Sequence, residues 1–149
     1  ERLMIRMFVA GHRGKKHVRT SGHMTGKKIN AYNAIIRTFE ILEEKTKGNP
    51  VQAVVDAIEA ASPREGITTI EYGGVRYPRS VDLSPQKRID LALRWLTQGA
   101  YDKMVKSKGK KRIEQTLAEQ ILATINYDQQ ASFAYSKKYD LERQAKAAR

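Results

Sequence analysis

The chain has 149 residues, 28 Lys plus Arg against 16 Asp plus Glu, a formal charge of +12 and no Cys. Disulfides and thiolate metal sites are thereby excluded, and no apolar run approaches the roughly 20 residues a membrane-spanning helix requires. The charge is local: residues 1–30 carry eight bases against Glu1 alone and residues 63–111 carry eleven against five acids, whereas 31–62 carry three against five. Such blocks predict a polyanion as partner. The 40% hydrophobic content is enough for one core in one domain.

In chain order, residues 2–10 read as a short helix ending at Gly11, and because the chain opens inside it at Glu1 the natural N-terminus is expected further upstream. Residues 11–28 hold four Gly, six Lys/Arg, all three His and only Val18 and Met24 as sizeable apolar residues, the composition of a basic flexible segment that a partner orders. From Asn30 a 3.6-residue period sets Tyr32, Ile35, Ile36, Phe39 and Leu42 on one face of a helix, with Asn33, Arg37, Glu40 and Glu44 opposite. Gly48 is expected to stop it, and Asn49-Pro50 to cap and start the next, with Val51, Val54, Val55, Ile58 and Ala61 as its apolar stripe.

Residues 67–82 change rhythm. Two β-branched and aromatic runs flank Gly73-Gly74, which predicts a hairpin pairing Tyr72 with Val75, Glu71 with Arg76 and Ile70 with Tyr77. Pro78 makes it an edge that no third strand in the sequence covers, so it is expected to project as an arm. Ser84-Pro85 then opens a helix buried through Ile89, Ala92, Leu93, Leu96, Ala100 and Met104, with Lys87, Arg88 and Arg94 off that face. Residues 106–112 form a basic loop, Ile113 to Ile125 a further helix, and Lys137 to Ala148 a polar last helix anchored by Leu141 and Ala145; residues 126–136 fit no single element. The expected core centres on Tyr32, Phe39, Val55, Leu93 and Leu96, in a mainly α, single domain of about five to six helices spanning 1–149.

Chemistry-bearing motifs are weak. His12, His17 and His23 lie amid positive charge without Cys or nearby carboxylates to complete a metal shell. Gly26-Lys27-Lys28 lacks the upstream Gly and following Ser or Thr of a phosphate loop. Neither a Gly-x-Ser-x-Gly elbow nor a His-Glu-x-x-His helix is present, so neither enzyme nor cofactor is predicted. The basic elements remain: Arg13, Lys15, Lys16, Arg19, Lys27 and Lys28 in the first block, Arg76 and Arg79 on the hairpin, and Lys108, Lys110, Lys111 and Arg112 in the loop. Flexible or projecting elements sharing one sign of charge repel one another unless an anion offsets them. Tyr72 and Tyr77 add planes on which unstacked bases can lie, which favours RNA over duplex DNA, with a DNA-binding or chromatin-associated protein as the alternative.

The run Gly48 to Glu65 (GNPVQAVVDAIEAASPRE), the hairpin Tyr72 to Tyr77 (YGGVRY) with Val81 to Pro85 (VDLSP), Leu91 to Leu96 (LALRWL) and the ending KKYDLERQAKAAR resemble the small-subunit ribosomal protein seven family over nearly the whole chain. The basic insert from Gly11 to Met24 resembles its archaeal and eukaryotic branch. That resemblance implies a helical domain whose arm is Gly66 to Asp82, tipped by Gly73 and Gly74. It implies binding to the head-forming domain of small-subunit ribosomal RNA and head assembly. It also implies an arm near the exit-site tRNA and the messenger RNA path, with head and platform proteins as neighbours and no membrane. Candidate RNA contacts are the basic residues above with Tyr72, Gly73, Gly74, Tyr77, Lys87, Arg88 and Arg94.

Overall fold

The computed structural model describes residues 1–13, 18–20 and 22–149, the backbone alone at Arg13, Val18 and Arg19. Lys15 and Lys16, two of the candidate contacts, and His17 lie outside the described residues. Six helices, α1 (Arg2–Met7), α2 (Lys28–Thr46), α3 (Pro50–Ala61), α4 (Pro85–Lys106), α5 (Ile113–Ile125) and α6 (Phe133–Ala147), surround one core. Two separate antiparallel pairs complete the described chain: β1 (His12–Arg13) with β2 (Val18–Arg19), and β3 (Glu65–Tyr72) with β4 (Val75–Asp82). Among the described residues, strands other than the hairpin's therefore do occur, but they pair with each other and not with it.

The core is built on alanine. Ala31, Ala57, Ala61, Ala92, Ala100, Ala118, Ala134 and Ala145 are fully buried at 0%, around Met7, Leu42, Leu96, Leu117 and Ile121. Side chains that end at Cβ let helix axes approach closely, and burial of the larger members supplies about 1.5–3 kcal/mol each. The buried faces keep the expected Leu42, Val54 and Ala61, with Ile35, Phe39 and Ile58 packed at their margins, but they include more small residues than expected. On α2 the buried residues are Ala31, Ala34, Thr38 and Leu42, whereas Tyr32 is 52% exposed; on α3 they are Ala53, Val54, Ala57, Ala60 and Ala61, whereas Val55 is 42% exposed. Tyr32 and Val55 are thus not core residues, while Leu93 and Leu96 are buried and Phe39 packs at the margin.

Helix ends follow local chemistry. Asn49 caps α3, its Oδ1 accepting from the Val51 N–H at 2.9 Å. Ser84 is the N-cap of α4 but makes no side-chain capping bond, and α2 ends on the left-handed Lys47 (φ 52°) rather than on the expected Gly48. The stretch that fitted no element is resolved by Ser132, whose Oγ accepts from the Tyr135 N–H at 3.1 Å and starts α6 at Phe133. Ser132 also shares a 2.7 Å hydrogen bond with buried Thr124, so this cap is welded to α5. Between Gly11 and Lys28, Met24 packs against the core after all, in a recess lined by Met7, Phe8, Tyr101, Met104 and Ile113.

Candidate nucleic-acid interface

The hairpin has the expected register, Tyr72 opposite Val75, Glu71 opposite Arg76 and Ile70 opposite Tyr77. Gly73 and Gly74 form its turn with φ 57° and 79°, angles that side-chain-bearing residues resist. Residues 68–79 are all exposed. Since directly paired residues share a face and neighbours alternate, the arm has two unlike sides. One carries Thr68, Ile70, Tyr72, Val75, Tyr77 and Arg79; the other carries Thr69, Glu71, Arg76 and Pro78. Tyr72 and Tyr77, 82% and 52% exposed, thus form a platform edged by Arg79. Arg76 stands on the opposite side with its Nε 3.4 Å from Glu71.

The base of the arm is fixed to α6. Ser80 N–H donates to the Ala148 carbonyl at 3.2 Å, Arg149 pairs with Glu65, and the Arg64 N–H donates to Glu142 Oε1 at 3.0 Å. An isolated hairpin is marginal in water, so this anchoring defines where the arm points.

The remaining candidate cations occupy distinct settings. Lys27 and Lys28 open α2, and Lys87 and Arg88 lie in the first turn of α4, with no acid in the first turn of either helix. Positive side chains at the positive end of a helix dipole are locally unfavourable, and a bound anion reverses the sign of that interaction. Arg94 is exposed nearly two turns further on. In the turn after α4, Lys108, Lys110 and Arg112 are exposed, whereas Lys111 Nζ lies 2.5 Å from Glu119, which also sits 3.5 Å from Lys103. Burial would raise the Glu119 pKa, but the hydrogen bond and charge of Lys111, helped by Lys103, bring it below the ordinary carboxylate value.

Arg88 is only partly exposed, with a buried Nε that has no hydrogen-bond partner. It lines an open cavity of about 830 Å³ together with Arg64, Lys138 and Tyr127. Those three residues were not singled out in the sequence, where they stand far apart and in no motif; a Tyr in the polar turn 126–130 was the available signal. Among the described residues no group of His, Asp or Glu could hold a metal ion, and no helix is long and apolar enough to cross a membrane.

Fold and surface together define a class, a small basic helical domain with an anchored, projecting two-stranded arm. The model of the family described as Ribosomal protein S7p/S5e matches residues 2–149, and the chain belongs to that family. It is 52% identical over 149 residues to the small ribosomal subunit protein uS7 of Nanoarchaeum equitans, covering 100% of this chain and 74% of that one. It is 48% identical over 132 residues to the protein of the same name from Archaeoglobus fulgidus, covering 89% and 66%. The Methanothermobacter thermautotrophicus protein is 47% identical over 124 residues, covering 83% and 65%. The chain thus spans about two thirds to three quarters of the length of these relatives.

Proposed function

We propose that this chain is a structural component of the small ribosomal subunit in the cytoplasmic ribosome, binding the head-forming domain of its ribosomal RNA and supporting head assembly. Its arm lies near the exit-site tRNA and the messenger RNA path, beside head and platform proteins. The observation that carries this reading is membership of a ribosomal protein family over residues 2–149 in a chain of net charge +12. The geometry supports it: exposed cations on several elements are available for phosphates, and Tyr72 and Tyr77 offer ring faces to unpaired bases. No catalytic step enters the reading, since the family is one of structural proteins.

The test is competition at matched salt between a transcript of the head-forming domain of an archaeal small-subunit RNA and a DNA duplex of equal length. Preference for the transcript is expected, and preference for the duplex would favour the DNA-binding alternative. Arm placement is checked separately. The chain has no Cys, so Val75→Cys gives a single attachment point for a photo-crosslinker at an exposed site beside the tip. Crosslinks from assembled subunits to tRNA or messenger RNA are expected; crosslinks confined to ribosomal RNA would remove the exit-site role and leave RNA binding intact.

A further inference from the structure

Lys138 of α6, Arg88 of α4 and Arg64 of the α3–β3 connection line one cavity of about 830 Å³, with the first turn of α4 at its wall through Pro85. Among the described residues none of the three cations has a carboxylate oxygen within ion-pairing distance, although Asp56 and Glu59 also line the cavity. Asp56 is engaged instead by Gln52 Nε2 at 2.7 Å. Lys138 Nζ donates to the Ala60 carbonyl at 2.8 Å and is held there, not extended into solvent. Arg88 Nε is buried and has no partner. A buried guanidinium N–H without an acceptor is costly, and such groups mark places where an external acceptor completes the site.

At the mouth stands Tyr127, 63% exposed at φ 55°. A left-handed backbone is uncommon and unfavourable for an aromatic residue. Here it is held by the Tyr127 N–H donating to Thr124 at 3.1 Å and the Asp128 N–H donating to Ala123 at 3.0 Å. The ring meets Tyr135 edge-on at 5.6 Å. One ring face at the rim of a cationic cavity is a place for a base beside its own phosphate.

We infer that the cavity between α3, the start of α4 and α6 binds one nucleotide of an RNA strand, its phosphodiester on Arg88, Arg64 and Lys138 and its base on Tyr127. Crowding of like charge agrees with this: burial lowers the Lys138 pKa, Glu142 raises it, and Arg64 and Arg88 lower it again. A phosphate oxygen there offsets the repulsion among the three cations and accepts from Arg88 Nε.

The site rests on the RNA-binding reading above, and its test separates the two. Filter binding of the same head-domain transcript across a salt series is measured for the wild type, Arg88→Gln, Arg88→Lys and Tyr127→Gly. Arg88→Gln is expected to weaken binding roughly 10-fold and lower the salt slope by about 1, while Arg88→Lys keeps the slope. Tyr127→Gly is expected to weaken binding roughly 10-fold with the slope unchanged. Glycine is at ease at φ 55°, so this variant stays folded, which circular dichroism checks, and decides the matter if Arg88→Gln does not fold. Wild-type binding with neither affinity nor slope altered in the folded variants would overturn the site and leave the reading standing. Absence of preferential wild-type binding would overturn both.

Discussion

The backbone N–H of Ser80 donates to the carbonyl oxygen of Ala148 at 3.2 Å, joining the returning strand of the arm to the C-cap of α6. With the Arg149–Glu65 pair and the Arg64–Glu142 bond, it makes the C-terminal helix the mount of the hairpin. Removal of residues 143–149 is therefore expected to free the arm. It deletes the acceptor of the Ser80 amide and the buried Ala145. Amide hydrogen exchange should show faster exchange at Ser80 and its neighbours in β3, with the buried amides of α4 and α5 still protected. Unchanged protection at Ser80 would mean that the two-stranded ladder alone holds the arm.

The outer arm contributes little to the body. Residues 68–79 are exposed throughout, and their ladder bonds lie within the hairpin. Replacing residues 69–78 with a two-glycine turn keeps Ser80 and the base pairs and is expected to change global stability by less than about 1 kcal/mol. Urea unfolding measures it. A failure of the shortened protein to fold would place the hairpin in the core.

Gly99 lies where α4, α5 and α6 meet. A Cβ at this position would sit 2.5 Å from Gln120 Oε1 and 2.7 Å from the Phe133 Cβ. Gln120 cannot move freely, because it donates to the Ala131 carbonyl at 2.9 Å and accepts from the Phe133 N–H at 3.0 Å. Gly99→Ala is expected to cost about 2–4 kcal/mol through overpacking and disturbed buried hydrogen bonds, despite the better helix propensity of Ala. A thermal midpoint lower by roughly 5–15 °C is the readout. An unchanged midpoint would show that the junction has slack.

The Glu119 carboxylate is stabilised in the folded state, so its pKa lies below its ordinary 4.5 there. The unfolded chain binds a proton more readily, and the resulting stability is present above the unfolded value and lost as pH falls through the folded one. The pair is partly exposed, which keeps its worth under about 1 kcal/mol. Glu119→Gln should lower stability at neutral pH and flatten the acid limb of the stability curve below about pH 5. Titration of thermal midpoint against pH checks this; parallel curves for the two proteins would remove the assignment. The same variant frees Lys111, so RNA affinity should hold or rise slightly.

The sequence by itself determined the helices after Asn30, the arm with its register, the Asn49 cap and the location of positive charge. Each of these is a local property: a 3.6-residue period, a two-residue glycine turn with alternating flanks, a side chain bonding two residues ahead. The buried face of α4 was legible too, Ala92, Leu93, Leu96 and Ala100 being buried as expected, whereas on α2 and α3 tertiary structure decided which residues lie inside. Tyr32 and Val55 looked like core because they are large, yet Ala31, Ala34, Ala57 and Ala61 fill the interior, since close-packed helix axes leave room only for a methyl. The separation of Arg76 from Tyr72, Tyr77 and Arg79 follows from strand alternation and was derivable from the register alone. The cavity of Arg64, Arg88, Tyr127 and Lys138 was not, because its members are up to 74 positions apart (138 − 64) and meet only through the packing of α3, α4 and α6. Charge is written along the chain, but its convergence on one place is a product of the fold.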